Sequence, residues 1–228
     1  VAIIVAKGLF GGIGSNVFNP ALTGRAVLFI SFPTAMGATW LAPKTISAVD
    51  AISSATVLSQ IKADTFVVNS QSLLDLFIGN KAGCIGETSI LLILISFIFL
   101  LVTKIIDWRA PIAMIFTVFI CTFIAGAISA SSLQVGFEKG LLSLLTGGVM
   151  FGATFMVTDY ATTPVTKPGR LIFGFGCGLI TFLIRQFGGY PEGVMFSILI
   201  MNSIAPFLNN LTVRMYGYGR KKWVQKKI

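Results

Sequence analysis

The chain has 228 residues, of which 55% are hydrophobic and only 11% charged, with 17 basic against 8 acidic side chains. An ordinary soluble domain carries roughly 25% charged residues, and a fold of this size needs them to cover its surface. The composition excludes a soluble globular domain, a disordered tail and a secreted disulfide scaffold, and leaves an integral membrane protein, which the apolar runs below read as an all-α, polytopic one.

There is no histidine. That removes His-ligated haem, most catalytic zinc sites and every Ser–His nucleophile. Cys84, Cys121 and Cys177 are too widely spaced for a Cys-x-x-Cys motif and too few for a four-thiolate cluster. A redox centre carried by this chain alone is therefore organic. No metal-ligating set and no catalytic side chain is assigned.

In chain order, residues 1–14 read as the tail end of a span. The chain opens on Val1 inside an apolar run with no charged leader, as a piece whose beginning is missing rather than a signal peptide. Residues 26–40 form a short apolar segment that carries Pro33. A spanning helix needs about 20 mostly apolar residues. Residues 88–103, 110–130, 168–187 and 193–213 meet that description. Residues 140–158 are also apolar, but Gly147, Gly148 and Gly152 interrupt them. Interrupted spans line binding sites, because irregular backbone survives in a bilayer only when buried in protein or facing a cavity.

The positive-inside rule sets the direction. Arg214, Arg220, Lys221, Lys222, Lys226 and Lys227 crowd the C-terminal end. In a membrane protein this cluster reads as a cytoplasmic face toward anionic lipid, not as a nucleic-acid site. Counting back places 188–192 outside, 158–169 inside, 131–139 outside, 104–109 inside and 41–87 outside. Lys139 and Arg185 run against this scheme. Within the long outer stretch, residues 51–61 suit a short helix and 72–78 an interfacial amphipathic turn.

Three stretches carry possible chemistry. The first is Asp50-Ala51-Ile52-Ser53-Ser54-Ala55-Thr56. It reads either as a capped helix start, with Ser53 or Ser54 accepting free backbone N–H groups, or as a modification site with Thr56 as an accessible hydroxyl flanked by small side chains. The second runs from Gly11 to Ala26. No strand precedes its glycines, so the dinucleotide-loop reading is poor. Asn16, Asn19 and Arg25 are polar groups beside apolar sequence, either a site or a helix–helix lock. The third, residues 158–170, reads either as a hydroxyl-rich loop with Pro168 in a first helical turn or as a half-helix end presenting Asp159 to a ligand. Around Arg25 and Arg170 the same order recurs: Asn or Asp, then Pro, then Gly-Arg opening an apolar helix. This hints at an internal duplication. Gly174, Gly176 and Gly178 favour close helix packing, and Asn202 and Asn209 suit packing bonds or ligands.

Taken together, Gly11-Gly12-x-Gly-x-Asn16-x-Phe-Asn19-Pro20-Ala-Leu, the 50–56 stretch, Thr158-Asp159 through Arg170, and Tyr190-Pro191-Glu192-Gly193 with Asn202 and Pro206 resemble a family of membrane redox proteins. That family contains the D subunit of the Rnf complex and the B subunit of the sodium-pumping NADH:quinone oxidoreductase. The stretch after Tyr190 resembles the Rnf member more closely. The resemblance implies a urea-transporter-like helical bundle of about ten spans in two pseudo-symmetric halves, with N-terminal spans missing from this chain. It implies FMN joined to Thr56 through a phosphoester, made outside the cytoplasm by a flavin transferase, with Asp50, Ser53, Ser54 and Ala55 as the surrounding motif. Val57 stands where many relatives have Pro.

The resemblance further implies an electron carrier in a complex that couples ferredoxin:NAD electron transfer to sodium or proton transport, in a bacterial or archaeal cell membrane. Asn16, Asn19, Arg25, Asp159 and Arg170 become candidates for lining a flavin or ion site, and a second, non-covalent flavin is a further expectation. Other subunits of the complex and the lipid bilayer are the expected partners. The chain then divides into the end of an N-terminal membrane half (1–40), an extracytoplasmic flavin-bearing loop (41–87), a C-terminal membrane half (88–213) and a basic cytoplasmic tail (214–228). The competing readings are a flavin-free, urea-transporter-like solute channel and a purely structural partner protein.

Overall fold

The computed structural model describes residues 1–9, 12, 14, 16–33, 36, 40–41, 53–54, 57–62, 70–81, 83–84, 86–190 and 192–216. Among them the structure is helical apart from one antiparallel bridge, β1 (Trp40–Leu41) with β2 (Ser53–Ser54). The helices are α1 (Ala2–Gly8, a π-helical turn), α2 (Pro20–Ser31), α3 (Val57–Lys62), α4 (Ser70–Ile78), α5 (Ile90–Val102), α6 (Arg109–Ala130), α7 (Leu133–Leu145), α8 (Val149–Met156, its second half π-helical), α9 (Lys167–Phe187) and α10 (Val194–Tyr216).

The helices α6, α9 and α10 are long and apolar enough to cross a membrane, and α7 with α8 forms a fourth such stretch bent by 62°. The apolar helices α2 and α5 are shorter. Large side chains such as Ile98, Phe99, Phe116, Ile128, Phe175 and Phe207 point outward, each more than half exposed. In water such a belt would drive aggregation; in a bilayer it is the lipid-facing surface.

The spans pack through small residues. On α6, Ala110, Met114 and Val118 recur every fourth position and are buried, so they form one stripe. On α9, Gly174 and Gly178 lie against that stripe. A methyl group on Gly174 would collide with the Ala110 carbonyl, and one on Gly178 would come within 2.8 Å of the Met114 carbonyl. A methyl group on Gly136 would approach the Phe123 carbonyl to 2.8 Å, so α7 also lies hard against α6. Without a hydrophobic drive between helices in lipid, such close approach supplies the van der Waals contact that holds a bundle together. Buried Phe173, Cys177, Ile198, Val149 and Leu22 complete the core.

Helix ends follow local chemistry. Asn19 caps α2, accepting from the Ala21 and Leu22 N–H groups at 3.0 and 3.3 Å, with Pro20 pre-set for the first turn. The helix thus starts at Pro20, ahead of the apolar segment expected from Ala26. Thr166 caps α9 by accepting from the Gly169 N–H at 3.2 Å, and Pro168 sits in the first turn as the sequence predicts.

Two local expectations change. Residues 131–139 are not a simple connection, because Ser131 turns the chain in a left-handed conformation and α7 begins at Leu133. Ser53 and Ser54 pair with Leu41 and Trp40, so the helix expected over 51–61 starts only at Val57. Cross-strand backbone pairing takes the place of the serine cap.

Candidate functional site

The break between α7 and α8 organises the polar interior. Gly147 holds φ at +65°, a conformation glycine adopts freely, and Gly148 follows it. A side chain on Gly147 would collide with the Glu192 carboxylate and the Arg185 guanidinium, and one on Gly148 would meet Glu87 Oε2 at 3.0 Å. The two glycines leave room for three charged groups to reach the broken backbone.

Glu192 and Arg185, together with Lys81, satisfy the helix ends left open there. Glu192 Oε2 accepts from the Gly148 N–H at 2.8 Å. Arg185 donates to the carbonyls of Ser143 at 2.7 Å and Thr146 at 3.3 Å, and pairs with Glu192 at 3.2 Å. Lys81, in the turn before α5, donates to the Leu145 carbonyl at 2.5 Å. Burial pulls the Lys81 ammonium down to about 8, against the opposing pull of Glu87 and Glu192. Burial likewise pushes the Glu87 carboxyl above the usual range, reinforced by Glu192. Both shifts favour the neutral forms.

Arg25 joins the same cluster from α2. Its guanidinium donates to Cys84 Sγ at 3.3 Å, and the Cys84 N–H donates to Glu87 Oε1 at 3.1 Å. Burial first, and then the Glu87 carboxylate, push the Cys84 thiol up to about 11, so it stays protonated. Arg25, Glu87, Gly148 and Glu192 line a cleft with Phe29 and Met195. Phe29 packs edge-on against Tyr190 with centroids 5.2 Å apart, and Tyr190 stacks on Phe196 at 5.6 Å. The cleft combines the charged Arg25, Glu87 and Glu192 with the apolar Phe29, Met156, Val194 and Met195.

A second cavity, of about 350 Å³, is lined by Arg185. Its lining combines Lys139, Arg185, Gln186 and the hydroxyl residues Ser129 and Ser143 with the apolar Leu58 and Phe182. The two basic residues that opposed the charge-based orientation thus line the same space.

Arg170 works elsewhere. It donates to Asp107 at 2.7 Å and to the Pro164 carbonyl at 3.0 Å. Arg109 also pairs with Asp107 at 2.7 Å and lies 5.1 Å from the centre of the Trp108 ring. Partial burial works against ionisation of Asp107, but hydrogen bonds from the Arg109 N–H and both guanidinium groups outweigh it, so its carboxyl lies below the usual range.

The sequence-predicted residues therefore separate. Asp50, Ala55 and Thr56 lie outside the described residues. Ser53 and Ser54 form the β2 bridge, and α3 follows Thr56 directly. Asn16 donates to the Phe18 carbonyl at 3.1 Å and Asn19 caps α2, so both shape one turn. With its amide oriented to satisfy both neighbours, Asn202 accepts from the Asn19 N–H at 3.1 Å and locks α10 to that turn. Asn209 accepts from the Val165 N–H at 2.9 Å. Asp159 accepts from Thr162 at 2.9 Å and its carbonyl from the Thr163 hydroxyl, closing the loop before α9. Arg25 and Arg170, alike in sequence context, take different partners.

The residues that sequence reasoning missed are Lys81, Glu87 and Arg185, together with the role of Glu192. Their signal was available as charges placed next to apolar spans, which are costly unless paired. Among the described residues no group of three metal-ligating side chains converges.

A multi-span helical membrane protein with a bent, glycine-broken helix and charged groups gathered at the break is the class that these features define. The chain matches the model of the NQR2, RnfD, RnfE family over residues 1–217 and belongs to that family. It is 42% identical to the D subunit of the Na(+)-translocating ferredoxin:NAD(+) oxidoreductase complex of Acetobacterium woodii, over 97% of this chain and 65% of the relative. It is 40% identical to the D subunit of the proton-translocating ferredoxin:NAD(+) oxidoreductase complex of Clostridium ljungdahlii, over 93% of this chain and 64% of the relative. A third relative, the D subunit of the ion-translocating oxidoreductase complex of Stutzerimonas stutzeri, is 36% identical over 96% of this chain. The chain spans about two thirds of the length of these relatives, 64% to 68%.

Proposed function

We propose that the chain is part of the D subunit of an ion-translocating ferredoxin:NAD oxidoreductase, and that it carries FMN on Thr56 as a relay for electrons. The observation that carries this reading is 42% identity, across 97% of the chain, to a protein named as that subunit. The 50–56 stretch adds the chemistry: a hydroxyl that can form a phosphoester, with Ser54 and Ala55 before it. Its described flanks are the β1–β2 bridge and α3.

Thr56 is a tether in this scheme. FMN, when bound, supplies one-electron chemistry, and the protein supplies position and electrostatics. Coupling to sodium or proton transport, assembly with the other subunits and maturation by a flavin transferase belong to the same proposal. So does the orientation, with the C-terminus cytoplasmic and the Thr56 loop outside. Relatives named for sodium and for protons are similar to this chain at 42% and 40% identity, so overall likeness does not choose the ion.

The test is mass spectrometry of the Thr56 peptide from the full-length protein, expressed with its complex and a flavin transferase, beside in-gel flavin fluorescence of wild type and Thr56→Ala. An FMN adduct on Thr56, with fluorescence lost in the variant, is expected. An unmodified Thr56 in a competent host overturns the carrier reading in favour of a flavin-free channel or a structural role.

A further inference from the structure

We propose that the groove where α5 gives way to α6 seats one anionic phospholipid, with Lys104, Arg109 and Arg170 facing its phosphate and Leu101, Ile105 and Ile112 its acyl chains. The inference goes beyond the flavin-carrier reading and does not depend on it.

Position comes first. Lys104, Asp107 and Trp108 lie in the short connection between two apolar helices, and Arg109 opens the second of them. Such a connection sits where hydrocarbon gives way to headgroups, the level at which tryptophan is enriched. The charge-based orientation puts it on the cytoplasmic side, where the leaflet carries anionic lipid. An open groove of about 610 Å³ lies here, lined by Leu101 of α5, Ile112 of α6, Arg170 of α9 and the connection itself.

The charges in this groove are unbalanced. Arg109 and Arg170 each place a guanidinium nitrogen 2.7 Å from the same oxygen, Asp107 Oδ2. One carboxylate thus holds two guanidinium groups side by side. Lys104 adds a third cation, which makes no ion pair among the described residues. Three positive charges against one negative line the groove, and a phosphate beside them offsets the excess. Each guanidinium keeps N–H groups beyond the nitrogen given to Asp107, in the fork geometry that suits phosphate oxygens.

The backbone supplies an independent observation. Lys104 holds φ at +57° just after α5 ends, and the Ile105 N–H turns back to donate to the Leu100 carbonyl at 3.1 Å. Helices that end this way usually place glycine or asparagine at the left-handed position, and a lysine there is strained. Strain of this kind, at the rim of a groove, points to a side chain kept for what it binds. Val102 and Ile105 are largely exposed beside it, so the surface offers cations and apolar groups together, as the two ends of a phospholipid require.

The test uses the assembled complex with full-length subunits, reconstituted into vesicles that contain a photoreactive phosphatidylglycerol or a photoreactive phosphatidylcholine. Labelled peptides are read by mass spectrometry after chymotrypsin, which does not cut at position 104. Lys104→Asn removes the charge and suits the left-handed backbone, and Lys104→Arg keeps the charge. Lys139→Gln, in the stretch assigned to the opposite side, is the control for charge alone. The expected result is phosphatidylglycerol labelling within residues 101–112 that falls about fivefold in Lys104→Asn, the effect of one cation near a lipid surface. Labelling stays at the wild-type level in Lys104→Arg and Lys139→Gln, and phosphatidylcholine labels the groove weakly in all four proteins. Equal labelling by the two lipids, or phosphatidylglycerol labelling indifferent to position 104, overturns the inference. So does a groove that neither lipid labels in the assembled complex, which assigns this surface to a neighbouring subunit.

Discussion

Arg185 and Glu192 meet at 3.2 Å across the turn that joins α9 to α10, and each also bonds the backbone where α7 breaks. The pair thus ties three elements together at one point. Arg185 is only 10% exposed and Glu192 24%, so removing one partner strands a poorly hydrated charge. Glu192→Gln is expected to cost about 3 kcal/mol, the lower end for breaking a buried pair. Arg185→Met/Glu192→Gln together should cost less than the sum of the two single changes. Thermal or denaturant unfolding in detergent, run as a double-mutant cycle, measures this. Strict additivity would refute the coupling.

Gly147 is the backbone counterpart of that pair. At φ +65° an alanine is strained, and its methyl would also meet the Arg185 guanidinium at 2.6 Å. Gly147→Ala is expected to destabilise the protein by about 2–3 kcal/mol, left-handed strain and overpacking combined. Gly189 has nothing within 4 Å of an added methyl, so Gly189→Ala is the matched control. Equal melting temperatures for the two variants would contradict the steric account.

Asp107 gives the acid limb of a pH profile. Its carboxyl is depressed by Arg109 and Arg170, so the native state holds fewer protons than the unfolded chain. The stability it contributes is complete above the ordinary carboxylate range and fades as pH falls through the lowered value. Melting curves of wild type and Asp107→Asn should converge as the pH drops and separate near neutrality. A constant gap across that range speaks against the pairing.

Lys81 acts at the other end. Its native value of about 8 lies below the usual 10.5 because burial disfavours the ammonium. Between those two values the unfolded chain binds the extra proton, so stability should rise with pH over that window. Lys81→Met should flatten the rise while losing the bond to the Leu145 carbonyl. An alkaline limb of the same slope in Lys81→Met would assign the effect to another group.

Much of the architecture was legible along the chain. Residues 110–130, 168–187 and 193–213 carry long apolar runs, and their helices run Arg109–Ala130, Lys167–Phe187 and Val194–Tyr216. Composition alone dictates this, because a backbone in lipid must satisfy its own hydrogen bonds. The triple glycine of α9 announced a close contact, and the Ala110 carbonyl fills it. The break at Gly147 and Gly148 was visible as an interruption, but not its angle of 62°. The start of α2 differs from the sequence expectation because Asn19, which reads as a site or a helix–helix lock, caps the helix and Pro20 opens its first turn.

The candidate site was legible in part. Arg25 stands out in the sequence as a polar group beside apolar residues, yet its neighbours Cys84, Glu87 and Glu192 come from distant turns. Arg25 and Arg170 repeat one local pattern, but one faces Cys84 and the other Asp107. Lys139 and Arg185 stood out only as exceptions to a charge rule, which counts residues and is blind to what they face.

Apolar runs, helix caps, glycine spacing and the family motif are local properties, and the sequence by itself determined them. The membrane setting and the family follow from such properties, whereas the number of long spans does not: residues 88–103 read as a span but form the shorter helix Ile90–Val102. Which charges meet is not local. Glu192 reaches Gly148 across 44 residues and Lys81 reaches Leu145 across 64. Only the tertiary structure decided these pairings, because an open helix end inside a packed bundle accepts whichever charged group the fold brings within hydrogen-bonding distance.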